Sequence, residues 1–306
     1  MTPVVALVGP TACGKTELAL RLAETLPLEV ISLDSAQVYR GMDIGTAKPD
    51  AAERERLPHH LIDIRDPADP YSAARFATDA RALIPSIRAR GRIPLIVGGT
   101  LLYLRALSDG LSALPAADPG WRARMAQRAV ELGWPAMHAE LARVDPASAE
   151  RLNPNDGHRI LRALEIQALG EAPASELYRR PPTEPGLPVR CFTLWPPDRD
   201  TLWGRIETRF RAMMRRGLLA EVEALYARGD LHASLPSIRA VGYRQLWAHL
   251  EGRLDLEEAV TRGIIATRQF AKRQQTWMRA LSSAETLPAD PDRALIMLRQ
   301  ALESGA

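Results

Sequence analysis

The chain is poor in cysteine, in aromatic side chains and in long apolar runs, and each shortage removes a class of explanation. Two cysteines in 306 residues, Cys13 and Cys191, cannot form a disulfide framework, and no Cys/His cluster has the spacing of a zinc site. Aromatic residues make up 5%, so the core must rest on Leu, Ile, Val and Ala. No apolar stretch reaches the roughly 20 residues that a membrane span needs. The opening MTPVVALVGP has no charged leader or cleavage pattern and reads as a strand, not a signal peptide. No membrane partner and a cytoplasmic location are therefore expected. Forty basic against 37 acidic residues leave a net charge of +3, too small an excess to establish a nucleic-acid partner.

Strand and helix alternate through the first hundred residues. Val4 to Val8 and Ile93 to Val97 are continuous apolar runs suited to strands buried on both faces. Glu29 to Leu33 and His60 to Ile64 read as two further strands. Gly14 to Leu26 carries leucines at intervals of four and reads as an amphipathic helix. Tyr71 to Arg90 is a second helix, which Pro85 should kink or divide. This alternation predicts an α/β fold with a parallel sheet covered on both faces. From Asp118 to about Arg180 the pattern is helical, with breaks at Gly133, Pro146 and Pro154. A connector holding Pro181, Pro182, Pro185 and Pro188 follows, then a strand at Val189 to Leu194 and helices beyond Asp198. The expected architecture is a P-loop α/β core, 1–117 and 189–306, interrupted by an all-helical insertion at 118–188.

Gly9-Pro10-Thr11-Ala12-Cys13-Gly14-Lys15-Thr16 matches G-x-x-x-x-G-K-[ST] between a strand and a helix. Glycines let the backbone wrap so that its N–H groups point at phosphate oxygens, and the following helix aims its positive end at the same place. Lys15 can neutralise phosphate, and the Thr16 hydroxyl suits Mg²⁺. An ATPase would place an acid after an apolar strand, but Pro94 to Val97 ends in Gly98-Gly99-Thr100. Asp63 lies inside its run, and no N-K-x-D guanine motif occurs. Asp34 ends the second strand, at the carboxyl edge where parallel sheets bind ligands. It is a candidate general base, or else a cap for the following turn.

Basic residues cluster three times. Arg262 to Arg279 holds five Arg or Lys and no acid, and Arg268, Lys272, Gln275 and Arg279 share one helical face. Trp277 and the glutamines add stacking and hydrogen-bonding partners for RNA. His158, Arg159 and Arg162 follow an Asn153 to Asp156 turn suited to a helix N-cap. Arg239 and Arg244 flank Val241-Gly242-Tyr243. Together they favour an extended polyanion.

Read in order, GPTACGKT at Gly9, DSAQVYRGMDIGTAKP at Asp34, PHHLIDI at Pro58, IVGGTLLYL at Ile96, NDGHRILRALEI, GLLAEVEAL at Gly217, IRAVGYRQ and KRQQTWMR resemble the tRNA dimethylallyltransferase family over nearly the whole chain. Cys13 departs from the usual Ser, with little effect expected where backbone N–H groups make the contact. The resemblance implies transfer of a dimethylallyl group from dimethylallyl diphosphate to an adenosine N6 beside the tRNA anticodon. It implies Asp34 as base, with Lys15, Thr16, Thr11, Thr100 and Arg239 at the reacting groups. Gly9 to Thr16, including Pro10, Ala12, Cys13 and Gly14, would cradle the diphosphate with Mg²⁺ on Thr16. Contacts to the anticodon stem-loop would come from Asp34, Ser35, Ala36, Gln37 and Thr100, and from Arg122, His158, Arg159, Ile160, Leu161 and Arg162. Arg239, Ala240, Val241, Gly242, Tyr243 and Arg244 would add to them. So would Lys272, Arg273, Gln274, Gln275, Thr276, Trp277, Met278 and Arg279. With no coiled-coil seam, a monomer is expected. A small-metabolite kinase would share Lys15, Thr16 and Asp34 but has no use for the basic stripe. An AMP isopentenyltransferase would not need the insertion, and a non-enzymatic RNA binder would leave the phosphate loop without a purpose.

Overall fold

A computed structural model describes residues 2–304. Five consecutive buried residues form β1 (Val4–Val8), which runs through the phosphate loop into α1 (Lys15–Ala23). Then come β2 (Leu28–Leu33), α2 (Ala51–Arg56), β3 (His59–His60), α3 (Ala73–Ala89), β4 (Ile93–Gly98) and α4 (Leu101–Ser108). The sheet is parallel throughout, in the order β3-β2-β4-β1-β5-β6, with β5 at Val189–Thr193 and β6 at Glu285–Thr286.

Alternate side chains of each strand feed opposite faces. Val4, Ala6, Val8, Ile31, Leu33 and Ile96 pack with Phe76, Ala80 and Ile84 of α3 and Leu104 of α4. Val5, Leu7, Val30, Leu95 and Val97 pack with Leu18 and Leu22 of α1 and Leu298 and Leu302. Those last two belong to the terminal helix.

Two expectations are corrected. The third strand ends after two residues, because Leu61 and Asp63 take left-handed backbone conformations (φ 62° and 56°). Asp63 is held there by Lys48 at 2.6 Å and Arg54 at 2.9 Å. Its carboxylate is thus committed to the framework. Pro85 does not divide α3, which runs through it. The proline is exposed, so water can serve the carbonyl its ring cannot.

The described chain divides into two compact units, 1–108 with 186–306, and 109–185. The second begins nine residues before the expected insertion and ends three before its expected limit. It comprises α5 (Pro119–Leu132), α6 (Trp134–Val144), α7 (Pro146–Arg151), α8 (Gly157–Leu169) and α9 (Ala174–Leu177). It has its own core of Met137, Leu141, Ile160, Leu164, Ile166 and Leu177. In the first unit, the Leu187 N–H donates to the Leu107 carbonyl at 2.8 Å, bringing together the points where the chain leaves and returns.

After β5 come α10 (Arg199–Arg215), α11 (Leu218–Tyr226), α12 (Tyr243–Leu250), α13 (Leu256–Arg279) and α14 (Pro291–Glu303). No helix among the described residues is long and apolar enough to cross a membrane.

Candidate active site

The carboxyl ends of β1, β2 and β4 meet at one edge of the sheet, since β4 pairs with both others and Leu33 lies opposite Gly98. The phosphate loop leaves β1 there. Gly14 turns the loop into α1 with φ 98°, a conformation that costs glycine little. Lys15 folds back on its own loop, donating to the Gly9 carbonyl at 2.9 Å and the Pro10 carbonyl at 2.8 Å. In this position it closes the ring of backbone that a phosphate would enter.

Two cavities of about 320 and 350 Å³ meet at this edge. The larger is lined by the loop residues Thr11 to Thr16 and by Arg205, Arg209 and Gln274. The smaller is more apolar in its walls, with Ile206, Phe210, Met213, Val241 and Phe270 beside Asp34, Ser35, Ala36 and Arg239. Thr11, Asp34, Thr46, Arg209 and Phe270 line both. Asp34 therefore stands where the cavity of the phosphate loop adjoins a more apolar one.

The capping reading of Asp34 is seen directly. Its Oδ1 accepts the N–H groups of Ala36 at 2.8 Å and Gln37 at 3.2 Å, which turns the chain and orients the carboxylate. Thr100, opening α4, accepts the Ser35 N–H at 3.1 Å and fixes the same turn from the other side. Gln37 is spent internally: it accepts from Ser32 and donates to the Thr46 and Ala47 carbonyls.

Arg209 was not singled out by its sequence. It lies on α10, far along the chain, in a helix whose surface carries many arginines. Its guanidinium donates to the Thr11 hydroxyl. Burial pushes its pKa below the ordinary value, while the negative charge of Asp34 acts in the opposite sense. An arginine stays charged even so, and a cation held away from water acts strongly on a nearby anion. Arg239 lines only the apolar cavity, so the cations at the phosphate loop are Lys15, Arg205 and Arg209.

Several residues expected at an RNA surface are placed elsewhere. Ile160 and Tyr243 are fully buried, and Met278 and Gln274 nearly so. Each sits on the inward side of its helix, and Gly242 beside Tyr243 is buried as well. Arg122 and Arg162 both bind the Glu165 carboxylate, at 2.6 and 2.5 Å, so they brace the helical unit. Arg268 pairs with Glu207 at 2.8 Å and lies over the Trp203 ring, which removes it from the one-signed stripe. His158, Arg159, Arg244, Lys272, Arg273, Thr276, Trp277 and Arg279 are exposed. Arg279 lies over the Trp195 ring. Asp156 caps α8 by accepting the Arg159 N–H at 3.3 Å, as the turn before it predicts.

Among the described residues no three His, Cys, Asp or Glu side chains converge into a metal cage. Mg²⁺ held on phosphates does not require one, because it keeps several waters and takes few protein ligands. The exposed Thr16 lines the phosphate cavity with Glu17 and Asp34, so the oxygen donors present fit that kind of ion.

A model of the family described as IPP transferase matches residues 37–281. The chain is 60% identical over 281 residues to a tRNA dimethylallyltransferase of Bordetella petrii, covering 91% of this chain and 90% of that one. It is 55% identical over 291 residues to the tRNA dimethylallyltransferase of Halorhodospira halophila, covering 94% and 93%. Among solved structures, a full-length tRNA isopentenylpyrophosphate transferase from Bacillus halodurans superposes with TM-score 0.71 at 37% identity, covering 100% and 98%. A eukaryotic dimethylallyltransferase acting on tRNA superposes with TM-score 0.77 at 27% identity, covering 94% of this chain and 74% of that one. The chain belongs to the IPP transferase family, alongside the tRNA dimethylallyltransferases.

Proposed function

We propose that this enzyme transfers the dimethylallyl group of dimethylallyl diphosphate to N6 of the adenosine immediately 3′ of the tRNA anticodon, releasing diphosphate. The observation that carries the reading is the position of Asp34, on the wall shared by the phosphate-loop cavity and the apolar cavity.

The adenine amino group is a weak nucleophile because its lone pair is delocalised into the ring. Its nitrogen attacks C1 of the dimethylallyl group as the C1–O bond to diphosphate breaks. The proton leaving N6 passes to Asp34, whose Oδ1 is fixed by two backbone N–H groups, a general-base role. Negative charge gathers on the departing oxygen. Lys15, the loop N–H groups and Arg209 are arranged to meet it before it forms, and such preorganised charge is the larger part of catalysis in many enzymes. Thr11, held by Arg209, supplies a hydroxyl at the same point.

Mg²⁺, when bound at Thr16, supplies further neutralisation of the diphosphate. Reaching N6 requires the adenine to leave its stack, and Ser35, Ala36 and Val241 offer walls for the displaced base. Arg239 stands at this acceptor side, with Thr100 fixing the turn beneath it. The exposed His158, Arg159, Arg244, Lys272, Arg273, Trp277 and Arg279 contact the anticodon stem-loop.

Incubating the protein with tRNA, free AMP and labelled dimethylallyl diphosphate, then analysing the labelled products, tests this reading. Labelled N6-dimethylallyladenosine is expected. Label in free AMP but not in tRNA, or no transfer at all, overturns it.

A further inference from the structure

Gln274 lies on α13 between Arg273 and Gln275, in a segment otherwise rich in exposed polar residues. Its own side chain turns inward and is 7% exposed. The carboxamide oxygen accepts the Thr11 N–H at 2.9 Å, and the amide nitrogen donates to the Gly99 carbonyl at 3.0 Å. Donor and acceptor are used in opposite directions, so reversing the amide would place like against like at both ends. A Cβ at residue 99 would lie 2.1 Å from the Gln274 nitrogen, so the contact needs glycine there.

We propose that Gln274 is a positioning residue of the diphosphate loop and not an RNA ligand. The link runs through one peptide plane. The Thr11 N–H and the Pro10 carbonyl belong to the same rigid unit, and the Pro10 carbonyl accepts from Lys15 at 2.8 Å. Whatever fixes the direction of that N–H also fixes the carbonyl that seats Lys15. Arg209 fixes the Thr11 side chain separately, through its hydroxyl. Thr11 is thus set by two helices more than 190 residues away, its backbone by α13 (263 residues) and its hydroxyl by α10 (198 residues). Without Gln274 the half-buried Thr11 N–H must find another acceptor, and the plane turns to do so. Lys15 then loses one of its two seats, and the loop no longer presents a preformed ring.

The inference rests on the reading that this loop holds diphosphate, and calorimetry with inorganic diphosphate and Mg²⁺ on the full chain separates the two. Gln274→Met fills the same volume without either hydrogen bond. It should weaken diphosphate binding roughly tenfold, with tRNA affinity within about twofold of wild type. Gln274→Glu keeps the acceptor, loses the donor and adds a negative charge beside the anion, so it should bind diphosphate more weakly still at a pH of about 8. As pH is lowered towards about 6, protonation of the introduced carboxyl restores a donor for Gly99 and removes the charge. Burial and the bound anion both raise the pKa of such a carboxyl. Diphosphate affinity relative to wild type at the same pH should therefore recover, which a merely space-filling side chain would not produce. Equal diphosphate affinity in Gln274→Met and wild type, no recovery in Gln274→Glu, or a loss confined to tRNA binding would overturn the proposal. Failure of the wild-type chain to bind diphosphate would remove the underlying reading as well.

Discussion

The phenol of Tyr243 donates to the Glu221 carboxylate at 2.5 Å. The same carboxylate accepts three successive backbone N–H groups, from Asp43 at 2.9 Å, Ile44 at 2.7 Å and Gly45 at 3.1 Å. Burial, with the Glu221 charge adding to it, pushes the Tyr243 pKa up, so the phenol remains a donor. One group on α11 thereby holds two walls of the apolar cavity, Gly45 with Thr46 and Tyr243 with Val241. An amide at residue 221 can accept at one end only and turns its own N–H groups against donors at the other. Glu221→Gln should destabilise the protein by about 1–3 kcal/mol and raise the KM for tRNA more than that for dimethylallyl diphosphate. Tyr243→Phe, which loses one bond, should cost about 1 kcal/mol. Urea unfolding with steady-state kinetics checks both. Equal rises in the two KM values would remove Glu221 from the acceptor wall.

Asp34 separates orientation from chemistry. Asp34→Asn keeps an oxygen for the Ala36 and Gln37 N–H groups but cannot take a proton. Turnover should fall by roughly a thousandfold or more while tRNA affinity stays within a few-fold. Asp34→Ala loses the turn as well and should weaken both. Single-turnover transfer measured beside filter binding distinguishes them. A fully active Asp34→Asn enzyme would leave the proton with another acceptor.

The basic helix makes a prediction with an internal control. Lys272 and Arg279 are exposed and Arg268 is paired with Glu207. Lys272→Ala and Arg279→Ala should each lower the slope of log affinity for tRNA against log salt by about one. Arg268→Ala should leave the slope unchanged. The same slope for all three variants would mean that this helix does not meet phosphates.

In the helical unit, the Glu165 side chain is fully buried. Burial opposes its ionisation, but hydrogen bonds from Arg122 and Arg162 outweigh that and hold the carboxyl below its ordinary value. A carboxyl depressed in the folded state contributes stability above its unfolded pKa of about 4.3, and that contribution is lost as pH falls through the lower folded value. Acid unfolding of the 109–185 unit, followed by limited proteolysis, should set in only below about pH 4. Glu165→Ala leaves two arginines without their partner, should cost on the order of 3 kcal/mol, and should flatten that acid dependence.

The sequence made the sheet, the phosphate loop and Asp34 legible because each rests on local chemistry: apolar runs, glycine spacing, and an acid at a strand end. It did not reveal Arg209, Glu221 or the inward turn of Gln274. Those roles depend on which face of a helix meets a loop some 175 to 263 residues distant, and no local pattern encodes that meeting. Gln274 shows the limit clearly, since its neighbours face out and composition alone groups it with them. The shortened β3 was hidden for a related reason. His60 to Ile64 has strand-like residues, but Lys48 and Arg54 draw Asp63 into a turn.

The hydrogen bond from Leu187 to Leu107 joins the two ends of a long excursion at a single neck. A chain segment entering and leaving at one point acts on the sheet like a short loop, whatever its contents, because the closure entropy grows only slowly with length. Lengthening or shortening the 109–185 segment should therefore cost little in closure entropy and leave the pairing of β1 with β4 and β5 in place.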